Sequence, residues 1–295
     1  QVTIPASGAS GSPFVLEAVG HVVVEGADNL SGAGAWTAFA GDVYRNAAVN
    51  WIPRQVFLDG SRLTLSDAAP ELLPANSFRF VTGQGLYVNA GGGNPGARSV
   101  LAGRRSYGLR VASNSWLEIR GFTVMHTEDR GIYLSGSSFC ALTRDTVAYS
   151  NGFGFSAVTV SNLTIEDCES HHNSDHGFQH SGLSASIVRR NESNDNARLT
   201  VRAANGYYFV GSPNNRIESN RSHHNQDSGF HMQSGSNGNL LLQNQSWLNG
   251  DHGFDHLSSN GITHIGDVAA LNHKDGFSFE GNAPGARVFN CIGIN

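Results

Sequence analysis

The chain has 295 residues, of which 36 are Gly, 15% are charged and 39% are hydrophobic, a composition that suits short strands and many tight turns rather than long amphipathic helices. Its formal net charge of −5 offers no basic surface for a nucleic acid. No apolar run is long enough to cross a bilayer, so neither partner is expected.

Strand-like runs come early, at HVVVEG (21–26) and RQVFLDG (54–60), followed by a Gly-rich NAGGGNPGA stretch at 89–97. No clean repeat runs through them. Solenoids need capped ends, so residues 1–100 are expected to form an N-terminal cap with irregular early coils, and 101–295 a regular array.

From residue 108 a Gly followed by an apolar residue recurs at Gly108, Gly131, Gly154, Gly177, Gly206, Gly229, Gly253 and Gly276, with gaps of 23, 23, 23, 29, 23, 24 and 23. The residues after these glycines are Leu109, Ile132, Phe155, Phe178, Tyr207, Phe230, Phe254 and Phe277, an apolar column that stacked strands would bury as one ladder. Two positions further on, the mostly apolar series from Leu134 to Phe279 gives the alternation of strands with one inward face, which places His180 and His256 in the core. Two Asn columns, Asn173/196/225/249/272 and Asn191/220/244 with Asp267, occupy turns where stacked amides can bond along the array. Three short strands and three turns per coil of about 23 residues is the pattern of an all-β parallel β-helix. Cys140, Cys168 and Cys291 match no disulfide or zinc spacing and read as packing residues. The chain stops at VFNCIGIN, inside what reads as another coil, so the natural protein is expected to continue beyond Asn295.

Residues flanking the inward ring point outward, so chemistry should run down columns. Two residues before the Gly the series is Asp129, Gly152, Asp175, Ala204, Asp227, Asp251, Lys274; two residues after it, Tyr133, Ser156, Gln179, Tyr208, His231, Asp255, Ser278. Over the last three coils these bring together Asp227, His231, Asp251, His252, Asp255 and Lys274. Asp before Gly is also ordinary turn chemistry, but Asp255 lies on the strand, and like charges about 5 Å apart repel unless a cation or proton intervenes. The oxygens of Asp227, Asp251 and Asp255 suit Ca²⁺, whereas His231 and His252 suit zinc, manganese or iron better. Lys274 is the chain's only lysine and falls directly after the acidic coils. The repeated SHHN of His171–His172 and His223–His224 reads as a surface turn ladder. The gap of 29 puts six extra residues into one coil, a projecting loop whose Arg198 and Arg202 are expected to clamp a glycan carboxylate.

The string GDHGFDH from Gly250, with Asp227 one coil earlier, resembles the calcium site of the pectate lyases of polysaccharide lyase family nine. The resemblance implies a right-handed helix, metal ligands at Asp227, Asp251 and Asp255, and His252 in place of a second Asp. The family's lysine position holds Ser278 here, and Lys274 lies four residues earlier.

The expected function is therefore metal-assisted β-elimination on an acidic, uronic-acid polysaccharide. Ca²⁺ or another divalent ion binds the carboxylate, Lys274 takes the C5 proton, and His252 and Ser278 face the substrate. A metal-free variant uses His231 as base and Tyr208 as acid. Hydrolysis by paired Asp residues and non-catalytic glycan binding are the rivals. Five Asn-X-Ser/Thr sequons occur, at Asn29, Asn162, Asn191, Asn220 and Asn244; the last three share a stacked column and are expected to stay unmodified. A secreted, bacterial, monomeric enzyme is the resulting expectation.

Overall fold

In the computed structural model, residues 1–199 and 201–294 are described. They form two compact units. The first comprises Gln1–Val24, Tyr107–Met125 and the chain from Asp129 onward, and it is the solenoid. Each regular coil contributes three parallel strands, for example Phe178–Ser184, Ile187–Arg189 and Glu192–Asn194, each hydrogen-bonded to its counterpart one coil later.

The expected inward column is present in register: Phe155 pairs with Phe178, then Tyr207, Phe230, Phe254 and Phe277. Their rings stack 4.6–5.0 Å apart with interplanar angles of 4–11°. His180 and His256 lie in the same core, fully buried. His256 Nε2 is 2.8 Å from His264 Nε2, whose Nδ1 is 2.8 Å from Asp267. Neither nitrogen of His180 has a hydrogen-bond partner among the described residues.

The repeated glycine has a steric cause. Ser193 Oγ donates to Gly206 O at 3.0 Å, Ser222 to Gly229 at 2.9 Å and Ser246 to Gly253 at 2.9 Å. A methyl built on Gly177, Gly206 or Gly229 would overlap the serine hydroxyl on the third strand of the same coil, Ser193, Ser222 or Ser246. Both Asn ladders form as well. Asn173 Nδ2 donates to Asn196 at 2.9 Å, Asn196 to Asn225 at 2.8 Å, Asn225 to Asn249 and Asn249 to Asn272 at 3.0 Å. Asn191 donates to Asn220 and Asn220 to Asn244, each at 3.0 Å, and Asn244 to Asp267 at 2.9 Å. Corners between second and third strands and after the third carry non-glycine residues with left-handed φ, among them His172 (56°), Asp195 (53°) and His224 (54°).

The second unit comprises Glu25–Ser106 and His126–Glu128. Two small sheets, one containing Ser77–Val81 and Gly85–Asn89 and the other Val56–Leu58 and Val100–Gly103, share a core of Val56, Phe78, Leu86, Val88 and Val100. Cys140 and Cys168 are buried free thiols, whereas Cys291 is half-buried.

Candidate functional site

On the first strand of each coil the outward column reads Gln179, Tyr208, His231, Asp255, Ser278 in register. Asp255 is buried, and its Oδ2 faces His231 Nδ1 at 3.7 Å and accepts from Ser228 Oγ at 3.4 Å. Its Oδ1, the Nδ1 of His252 and both nitrogens of His231 have no hydrogen-bond partner among the described residues. Burial raises the Asp255 carboxyl, opposed by His231 and His252, and burial lowers His231, which keeps that imidazole neutral.

Glu280, two residues beyond Ser278, turns back to the same spot. It accepts from Ser278 Oγ at 3.0 Å and lies 3.4 Å from His252 Nε2. One atom each of His252, Asp255 and Glu280 fall within 4.8 Å of one another. Asp275 adds a further carboxylate 3.6 Å from His252 Nδ1. Reading the sequence by columns missed both Glu280 and Asp275. Glu280 is the next outward pleat on the strand Phe277–Glu280, but its column otherwise holds Val210, Gln233 and Leu257, so no series of charges marked it.

Asp227 and Asp251 have other company. Lys274 Nζ is 2.8 Å from Asp251 Oδ1, Arg202 NH2 is 3.1 Å from Asp251 Oδ2, and Arg202 Nε is 3.6 Å from Asp227. Burial raises the Asp251 carboxyl, but the Lys274 hydrogen bond, His252 and Arg202 outweigh it and hold it below the usual range. Asp227 is pushed up to about 6 by burial against the pull of Arg202. Lys274 is raised, chiefly by its hydrogen bond to Asp251. The trio Asp227, Asp251 and Asp255 therefore does not fit a calcium ion in this arrangement, because two of its three carboxylates already face protein cations. The donors left without a cation are Asp255, His252 and Glu280, a mixed nitrogen and oxygen set suited to a first-row ion rather than to Ca²⁺.

The loop arginines lie against the coils instead of projecting. Arg198 faces Asp175 at 3.4 Å and exchanges hydrogen bonds with the Gln226 side chain through its own backbone. Arg202 also donates to Gly250 O at 2.8 Å. Tyr208 donates a hydrogen bond to Gln233, and its ring lies edge-on to His231 at 5.4 Å and stacks on His176 at 4.3 Å.

The chain belongs to the right-handed β-helix family, whose model, the right handed beta helix region, matches residues 107–282. No curated protein matches it. Among solved structures, XylC in complex with xylose superposes with a TM-score of 0.76 at 12% identity, covering 97% of this chain and 62% of that one. A glycoside hydrolase superposes at 0.63 with 9% identity, covering 97% and 85%. The periplasmic alginate epimerase AlgG superposes at 0.55 with 18% identity, covering 63% and 47%. The chain thus spans less than two thirds of the length of XylC. At these identities the likeness is one of fold.

Proposed function

We propose that the chain cleaves glycosidic bonds by hydrolysis with retention of configuration, using Asp255 and Glu280. The observation that carries this is their spacing. One oxygen of each carboxyl lies within 4.8 Å of the other, no farther than the about 5–5.5 Å of retaining glycosidases and short of the about 6.5–9.5 Å that leaves room for an inverting water. Buried Asp255, with its raised carboxyl, is the acid that protonates the leaving oxygen as the C1–O bond breaks. Glu280, more open and hydrogen-bonded by Ser278, is the carboxylate that bonds to C1 from the other side. Water then releases the sugar as Asp255 recovers its proton. Two structures that share the fold over 97% of this chain, one of them solved with xylose, make xylose-containing glycans the first substrates to try.

A second reading, β-elimination on a uronic-acid polymer, is favoured by the neutral imidazole of His231, whose nitrogens have no hydrogen-bond partner among the described residues, beside Tyr208. They form a base and acid pair for the C5 proton and the leaving oxygen. An ion held by His252, Asp255 and Glu280 would supply neutralisation of the sugar carboxylate in that reading. Incubating the protein with xylan, pectate and alginate, with and without chelator, separates the two. Hydrolysis gives reducing ends without ultraviolet absorbance, insensitive to chelator, and the first product keeps the substrate's anomeric configuration. Unsaturated, ultraviolet-absorbing ends would overturn the hydrolytic reading.

A further inference from the structure

A different face of the solenoid, formed by third strands and the turns that follow them, carries two copies of one side-chain arrangement. His171 ends the strand Glu169–His171 and His223 ends the strand Arg221–His223, two coils later. Each is followed by a histidine at a left-handed corner, His172 at φ 56° and His224 at φ 54°. That bend returns the second ring towards the first. In both pairs the two Nδ1 atoms face each other at 2.9 Å, and the ring centroids are 5.1 Å apart at 87–88°.

The spacing has a coordination meaning. Two imidazole nitrogens bound at right angles, each about 2.05 Å from one ion, stand about 2.9 Å apart. The alternative, one Nδ1–H donating to the other Nδ1, has the same separation. Both arrangements need a bare Nδ1 on at least one ring, and the outer nitrogen shows which ring that is. His223 Nε2 lies 2.9 Å from Glu192 Oε1. A carboxylate oxygen at that distance accepts from an imidazole N–H. His223 therefore carries its proton on Nε2 and turns a bare Nδ1 lone pair inwards. A carboxylate on the far nitrogen is the usual outer support of a metal-bound imidazole. Trp247 stacks on the His223 ring at 4.4 Å and fixes its plane. Asp195, exposed, holds the corner between the two pairs, one coil from His172 and one from His224.

We propose that His223–His224 and His171–His172 are two surface chelate sites for first-row divalent ions that favour right-angled nitrogen ligation, copper(II) and nickel(II) above all. The sites lie apart from Asp255 and Glu280 and do not depend on what reaction those residues perform. His172 and His224 are exposed and His171 and His223 half-buried, so an ion reaches both pairs from solvent.

The test is calorimetric titration of the whole chain with Ni²⁺, set beside His172→Asn/His224→Asn. Asn tolerates the left-handed corner, so the double variant keeps the backbone; an unchanged circular dichroism spectrum and melting temperature confirm it. The wild-type chain should bind two equivalents more than the double variant, and each single variant one equivalent fewer than wild type. Glu192→Gln should weaken the His223–His224 equivalent about tenfold and leave the other unchanged. Any ion taken up at His252, Asp255 and Glu280 appears in all variants and drops out of the difference. A difference smaller than two equivalents overturns the proposal.

Discussion

Lys274 Nζ lies 2.8 Å from Asp251 Oδ1, while the other oxygen of the same carboxylate lies 3.1 Å from Arg202. The only lysine of the chain is thus a counter-ion, shared with an arginine that arrives from the six-residue insertion. A lysine held in its charged form is a poor base at neutral pH. Lys274→Met is expected to retain turnover within about tenfold of wild type. Loss of all turnover with normal folding would return the lysine to the reaction and favour elimination.

Asp255→Asn and Glu280→Gln are each expected to lower kcat by about 10³-fold or more on an unactivated glycan. They should differ on activated aryl glycosides. A good leaving group does not need protonation, so Asp255→Asn keeps much of its bond-breaking rate there, while Glu280→Gln does not. Small anions such as azide, added to Glu280→Gln, should restore turnover with the opposite anomeric product. Equal loss on both substrate types in both variants would remove the assignment of roles.

Asp145 occupies the corner column later held by Asn191 and Asn220, one coil from Cys168. It is fully buried, accepts from Phe122 N at 2.8 Å, and leaves Oδ2 without a hydrogen-bond partner among the described residues. Burial, only partly offset by backbone donors, pushes its carboxyl from 3.8 up to about 7. The folded state therefore holds a proton that the unfolded chain releases above about pH 4. Its contribution is fully present below the unfolded value and is lost as pH rises to about 7, at about 1.4 kcal/mol per pH unit. Asp145→Asn should flatten the fall in melting temperature between pH 4 and pH 7 and raise stability at pH 8. A pH profile parallel to wild type would show that Asp145 is ionised throughout.

Asn220 donates to Val188 O at 2.8 Å and to Asn244 at 3.0 Å, and accepts from the backbone and side chain of Asn191. Asn220→Ala removes these bonds at a fully buried position and should cost about 2–4 kcal/mol in denaturant unfolding. Peptide mass mapping of the protein secreted from a glycosylating host should find Asn191, Asn220 and Asn244 bare, since all three are buried.

The solenoid was legible because burial, steric fit and hydrogen bonding all repeat with one period. Phe178, Tyr207, Phe230 and Phe254 recur as rings, Gly177 and Gly206 as the space a serine hydroxyl needs, Asn196 and Asn225 as rungs. Asp255 could be singled out because it breaks its column. Glu280 could not, because it belongs to no column of charge, and its meeting with Asp255 depends on the backbone after Ser278. The charge state of Lys274 was equally hidden, since a cation and a base look alike until the carboxylate beside it is located. Residues 25–106 carry no repeat, and their own two-sheet core rests on scattered residues such as Trp36, Phe78 and Val100 that no periodicity links.

The Asn ladders have a consequence for how such a chain can grow or shrink. Asn196 and Asn225 are 29 residues apart, and Asn225 and Asn249 are 24, yet both steps close the same amide bond, at 2.8 and 3.0 Å. Each rung works as a ruler that measures height along the axis and ignores contour length. Extra residues are tolerated only as outward slack, as in the loop of Arg198 and Arg202. Removing residues 226–249 would rejoin Asn225 to the rung at Asn272 and leave a solenoid one storey shorter. Removing half that number would leave a rung with no neighbour to meet. Genetic change in this protein is therefore quantised on its inner side and nearly free on its outer one.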